Sequence, residues 1–269
     1  TCWHYIQGGG VNGGTVQSVM NCPIKFLHCF RRWVPFLVDD PLVLTHPQTR
    51  DHPSMQKLKN RMAKAEWLNQ LPSIDSILIF GVSAPFAMAP VNAKVVQASA
   101  VALKYGSSFT YRDRILPVGF AMTRKLGIIS IIPAILVEVG GLLALLILKL
   151  PVLGKWLAQH FTPPGSGTPD HICMTGFSEV YSEVTTTPTA EGGLDRPNCS
   201  MRFEGDPGNW TTAQCACESA LALVLDKNKL PPRSIDGFGT PAELLGSVLL
   251  KRLQQSSVRP VEVTINVRK

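Results

Sequence analysis

Six histidines offer acid, base or metal-ligand chemistry, but they are scattered, and His46 and His52 stand at a spacing that suits no metal. A histidine becomes a candidate base only with a geometric partner, so each is read as a surface residue. Seven cysteines, at 2, 22, 29, 173, 199, 215 and 217, form no Cys-x-x-Cys pair. Neither a zinc site nor a disulfide framework is expected, and a reducing, cytosol-facing compartment fits best. Cys215 and Cys217 fall at the start of an expected helix, where the dipole lowers a thiol's pKa, although packing is the simpler role. Asp206-Pro207-Gly208 stands where a strand passes into a helix, and either lines a pocket or caps the helix. Gly13, Gly14 and Thr15 close a glycine-rich loop leading into a helix whose free amides would hold an anion. No apolar strand is expected before that loop, so it is read as structural rather than as a dinucleotide cradle.

Glu138 is the one charge in an apolar run of 23 residues, Leu126 to Leu148, fenced by Arg124, Lys125 and Lys149. It is read as an intramembrane carboxylate, as the polar apex of a hairpin, or as the partner of a basic residue. At about 1.5 Å per residue the run would be roughly 34 Å long as a helix, enough for the ~30 Å core of a bilayer. Pro133 and Gly140-Gly141 are soft points. Two arrangements stay open: one kinked span, or two half-helices near 120–138 and 142–158 forming a hairpin in one leaflet. Basic residues at both ends favour the hairpin or an interfacial lie. A buried helix pair is the soluble alternative.

The rest of the chain must position these groups. Ser54 to Leu71 has helical spacing with Ser54 as cap, and Ile74 to Val82 reads as a buried strand or extended segment. Asn92 to Tyr105 is an amphipathic helix stopped by Gly106. Thr162 to Gly167 is a linker, after which Cys173–Thr186 and Asn198–Glu204 alternate as paired strands. A helix over Thr211 to Asp226 follows. Thr240, Pro241 and Glu243 make a well-formed helix start, and Val261 to Val267 closes as a strand. The domain plan is 1–114, the first part of a substrate-side domain; 115–161, the apolar membrane- or lipid-associated segment; and 162–269, an α+β part completing the domain. Net charge is +7 with no polybasic block, which argues against nucleic acid and suits an ordinary basic surface or an anionic membrane.

The order of short motifs is more specific than any one of them. Gly205-Asp206-Pro207-Gly208, Glu218 to Leu223, Asp226 to Pro231, Thr240-Pro241-Ala242 and Arg252-Leu253 follow one another at the C-terminal end. Gly13-Gly14-Thr15, Asp40-Pro41, Pro85 to Asn92 with Val95-Val96, Tyr105-Gly106 and Phe109 to Arg112 precede them. This series resembles the saccharopine dehydrogenase-like oxidoreductases, among them the trans-acting enoyl reductases, over nearly the whole chain.

The resemblance implies an α+β fold: a mixed or antiparallel sheet covered by helices, with the apolar helix or hairpin inserted. It implies the half of an NAD(P)-dependent oxidoreductase that follows the dinucleotide-binding half, whose glycine fingerprint has no copy here. On that reading this chain alone binds no NAD(P). The sequence opens at Thr1 rather than Met, which fits a truncated front. The substrate would be a lipid-like carbonyl or enoyl compound, in keeping with the family's ties to membranes, lipid droplets and glycolipid metabolism, with Asn92, Arg112 and Asp206 as candidate anchors. Homo-oligomerisation stays open. A lipid-surface scaffold that has lost turnover is the alternative, and an ordinary soluble interaction domain a third reading.

Overall fold

The computed structural model describes residues 1–7, 16, 20, 40–68, 73–75, 81–150, 152–163, 165–184, 196–232 and 238–268. Its strands are β1 (Cys2–Gln7), β2 (Ser73–Asp75), β3 (Gly81–Pro85), β4 (Asp113–Ile115), β5 (Phe177–Glu183), β6 (Arg196–Glu204) and β7 (Glu262–Arg268). They form a mixed sheet in the order β2-β3-β4-β1-β5-β6-β7. β1 and β4 run parallel, and the other neighbours are antiparallel.

The helices are α1 (Pro47–Arg50), α2 (Gln56–Leu68), α3 (Ala89–Ala102), α4 (Phe120–Leu126), α5 (Ile131–Lys149), α6 (Leu153–Phe161), α7 (Asp170–Thr175), α8 (Thr212–Leu225), α9 (Pro241–Leu244) and α10 (Gly246–Gln254). The class is α+β with one long apolar helix.

Strand alternation sorts the core onto the two faces of the sheet. Val82 and Ala84 of β3 pack on Ala134 of α5 with Ile115, while Trp3 and Leu116 point the other way against Phe120 and Tyr181. A third cluster joins Leu42 to Leu58 and Met62 on α2. The sheet unites residues on both sides of the apolar run, because β1 pairs with β4 before the run and with β5 after it.

Several elements differ from expectation. The segment expected to be extended over Ile74 to Val82 holds parts of two strands, β2 and β3, which pair antiparallel. The helix expected to be capped at Ser54 is capped two residues earlier, where His52 Nδ1 accepts from the Ser54 amide at 3.3 Å and starts the 3-10 turn Pro53–Met55 that leads into α2. Residues 170–175 form α7, so β5 begins only at Phe177. Pro133 does not kink the apolar helix, because it sits in the first turn of α5, where a missing N–H costs nothing. The chain breaks instead at Gly127 (φ +54°) and at Leu150, which is extended. Thr240 caps α9 as expected, accepting from the Glu243 amide at 3.4 Å and meeting the Ser99 hydroxyl of α3 at 2.7 Å.

Gly205 ends β6 with φ +100°, and an added Cβ would lie 2.6 Å from Cδ1 of Trp210. Both the backbone and the ring exclude a side chain there. Gly205→Ala is expected to destabilise the fold by about 2–3 kcal/mol, lowering the melting temperature by roughly 5–10 °C in a thermal scan.

Candidate functional site

Parallel pairing of β1 with β4 sets Cys2 beside Asp113 and His4 beside Ile115. Cys2, His4 and Asp113 therefore share a face of the sheet, and His4 Nε2 meets Asp113 Oδ1 at 2.6 Å. Asn92, in the first turn of α3, donates its Nδ2 amide to Asp113 Oδ2 at 2.8 Å. Asp113 is fully buried, while the His4 side chain keeps 16% of its surface exposed. A carboxylate taken out of water must be compensated by donors, and the imidazole and the amide supply them on separate oxygens. Phe86, just past β3, stacks on the imidazole at 4.6 Å and fixes the ring plane.

Hydrogen-bonding economy assigns the tautomer: Nε2 carries the proton that faces Asp113. The Nδ1 edge has no hydrogen bond among the described residues, and it belongs to the less buried end of the network. An imidazole steered by a buried carboxylate, with its second nitrogen unengaged among the described residues, accepts a proton at Nδ1 and, once protonated there, can deliver it. Phe86 forms an apolar rim on the imidazole, and Met88 and Val91, which follow it in sequence, are exposed.

Tyr111 and Cys2 border Asp113. Burial first, then the neighbouring Cys2 and Asp113, push the Tyr111 phenol far above its usual range. Burial likewise pushes the Cys2 thiol up, against the pull of the amino terminus. Both groups stay protonated at neutral pH. Because the folded pKa of Tyr111 lies above its unfolded value of about 10, its contribution to stability is complete below pH ~10 and is lost as pH rises beyond it. Alkaline titration followed by circular dichroism and phenolate absorbance is expected to show Tyr111 ionising only as the fold opens. In Tyr111→Phe the slope of stability against pH above 10 should fall by one proton.

Of the residues predicted from sequence, Asn92 and Arg112 come together at this corner. Asn92 holds Asp113, and the Arg112 carbonyl accepts from the Cys2 amide at 2.8 Å, tying β4 to β1. On the opposite face Arg114, fully buried, donates to the Ser83 hydroxyl at 3.1 Å and to its carbonyl at 3.0 Å. Asp206 lies elsewhere. It neighbours Gly176 and the Gln7 carbonyl, at the far end of β1, five residues or roughly 16 Å from the Cys2 end. One of its oxygens caps the Pro207–Thr211 turn, accepting from the Asn209 amide at 2.8 Å and its side chain at 2.7 Å. The other is buried without a hydrogen-bond partner among the described residues, as are Trp210 Nε1 and Thr211 Oγ1. Cys215 is not activated by its helix, since burial pushes its thiol up.

Gly13, Gly14 and Thr15 lie outside the described residues. Contrary to expectation, a strand does precede them, since β1 ends at Gln7. Topology supplies a different reason for setting their loop aside. A dinucleotide fingerprint joins two parallel strands through a crossover of some 30 residues, whereas the parallel neighbour of β1 is β4, which starts at Asp113.

His4 and Asp113 were not singled out from sequence. Their separation of 109 positions gives no local signal, and only the register of β1 against β4 joins them. The alternation of Cys2 and His4 in the opening strand is the one trace they leave.

Within the apolar run, Leu126 ends α4, Pro133 is half-buried near the start of α5, and Leu148 lies in its last turn. Glu138 is half-buried and engaged in an interaction. Only 6% of the most apolar window of Phe120–Lys149 is buried, and the stretch is long enough to cross a membrane by length and composition.

No protein-family model matches the chain, and no solved structure matches it. Two Mycobacterium tuberculosis proteins, from strains H37Rv and CDC 1551, are each 27% identical to it over 266 residues, and their names propose them as trans-acting enoyl reductases. The match covers 93% of this chain but 56% of each relative, so the chain spans about half the length of the curated relatives it matches. The likeness supports a relationship to enoyl reductases.

Proposed function

We propose that this chain is the substrate-side part of a reductase that acts at a membrane or lipid-droplet surface on the carbonyl or enoyl bond of a lipid-like substrate. The observation that carries the reading is the likeness to proposed enoyl reductases along 93% of the chain, in a molecule that leaves a long apolar helix uncovered. When bound by the dinucleotide-binding part, NAD(P)H supplies the hydride. Reduction also needs one proton, and His4, held by Asp113 and rimmed by Phe86, is the group placed to give it, from Nδ1 of its protonated ring. The apolar rim suits an acyl substrate, which needs few polar anchors. Asp206 and Arg112 remain candidates for such anchors.

The test is reduction of a long-chain 2-enoyl thioester by the protein that carries this chain, with NADPH loss followed at 340 nm and the saturated product identified. Reduction supports the reading. Absence of turnover on both enoyl and carbonyl lipids, with the fold intact, favours the scaffold alternative.

A further inference from the structure

We infer that α4, α5 and α6 enter a single leaflet of an anionic phospholipid surface and return on the same side, so that the protein is monotopic rather than membrane-spanning. This rests on the lipid contact proposed above and adds its topology and its headgroup class.

Three observations carry it. The first is connectivity. β1 pairs with β4, which precedes the apolar run, and through six register pairs with β5, which follows it. A single crossing would put the two strands that flank the run on opposite sides of the bilayer. One sheet cannot be divided that way.

The second is length. α5 is held to the body at its start, where Ala134 is fully buried against Val82 and Ala84 and the Val82 amide donates to Ser130 Oγ at 2.7 Å, and again at its end, where the Lys149 ammonium donates to the Met20 carbonyl at 3.3 Å. From Ile135 to Lys149 about 22 Å of helix is left, short of the ~30 Å hydrocarbon core. The chain then turns abruptly. The Gly154 amide donates to the Leu150 carbonyl at 2.8 Å, and a Cβ on Gly154 would stand 2.3 Å from the Leu148 carbonyl oxygen.

The third is the pattern of exposed side chains. Ile128, Ile132, Leu136, Leu143, Val152 and Phe161 all lie open. An apolar surface of this extent marks a protein or membrane contact. Its fringe decides between them. Arg124 and Lys125 are exposed where the chain leaves the body, Lys155 is exposed beyond the turn, and Trp156 beside it packs on His160 and Phe161. Basic residues at both limits of an apolar stretch, with a tryptophan at one of them, match the headgroup level of an anionic leaflet.

The experiment uses the full chain with an epitope tag at each end, synthesised in the presence of sealed vesicles of phosphatidylcholine alone or with 30% phosphatidylglycerol. Flotation is expected with both, several-fold stronger with the anionic lipid. Protease added outside should remove both tags without detergent. Quenching by brominated lipids, taken as the difference between wild type and Trp156→Phe, should be greatest for bromines near the headgroup. Protection of one tag would establish a span and overturn the proposal. Failure to float, with a dimer in solution, would assign the face to a second copy and overturn it as well. Failure to float while the enoyl thioester is still reduced would sink this proposal and spare the reductase. Flotation with both tags cut and no reduction would do the reverse.

Discussion

His4→Phe is expected to lower the turnover of the reductase by about a hundred-fold or more, the scale of a lost proton donor. The substitution keeps an aromatic ring against Phe86, 4.6 Å from the present imidazole centroid, so the shape of the rim survives. It leaves Asp113 with Asn92 and its remaining neighbours but without the imidazole. Removing one partner of a buried charged pair costs about 3–5 kcal/mol, and a loss of activity through unfolding must be separated from a loss of chemistry. Asp113→Asn makes that separation. The amide preserves volume but no longer compels Nε2 to carry the proton, so turnover should fall while the melting temperature drops far less than the roughly 10 °C expected for Asp113→Ala. If His4→Phe and Asp113→Asn both fold and both retain full turnover, the pair is only a structural hydrogen bond and the proton comes from elsewhere.

Local signals were legible where the physics is local. Thr240 with Pro241 and Glu243 fixes a helix start through bonds spanning three residues, and the structure has it. The helix expected from Asn92 to Tyr105, with Gly106 as its stop, instead spans Ala89–Ala102 and is capped by Leu103, with Lys104 (φ +56°) taking the left-handed conformation two residues before the glycine. Alternation located β6 and β7. Errors arose where composition leaves two outcomes. An apolar stretch such as 74–82 reads alike as one strand or as parts of two short ones. Pro133 breaks a helix or begins one according to where the first turn falls, and that was settled by Ser130 and Ala134 docking on β3.

The candidate site was legible only in part. Asn92 and Arg112 were found through a resemblance, whereas His4 is nondescript until β4 lies beside it. The pairing of β1 with β5 had a larger effect: it turned an undecided choice between span and hairpin into a matter of connectivity.

Leu136→Glu combined with Leu143→Glu is expected to release the protein from vesicles almost completely, with binding reduced by about a thousand-fold or more. Each leucine moved from water into hydrocarbon contributes about 1.5–3 kcal/mol, and a charge held at that depth costs about 2.5–3.5 kcal/mol more. The two positions together exceed the ~4 kcal/mol that a thousand-fold change requires. Folding should be spared, because Leu136 is 67% and Leu143 is 52% exposed. Deletion of 126–148 would be a poorer test. It removes Ser130 and Ala134 from the β3 face and so unsettles the sheet along with the lipid contact. Ala134→Glu is the informative control: it adds the same charge at a fully buried position, and should cost stability in a thermal melt. Flotation unchanged in the double variant, with its melting temperature also unchanged, would mean that α5 does not meet the lipid.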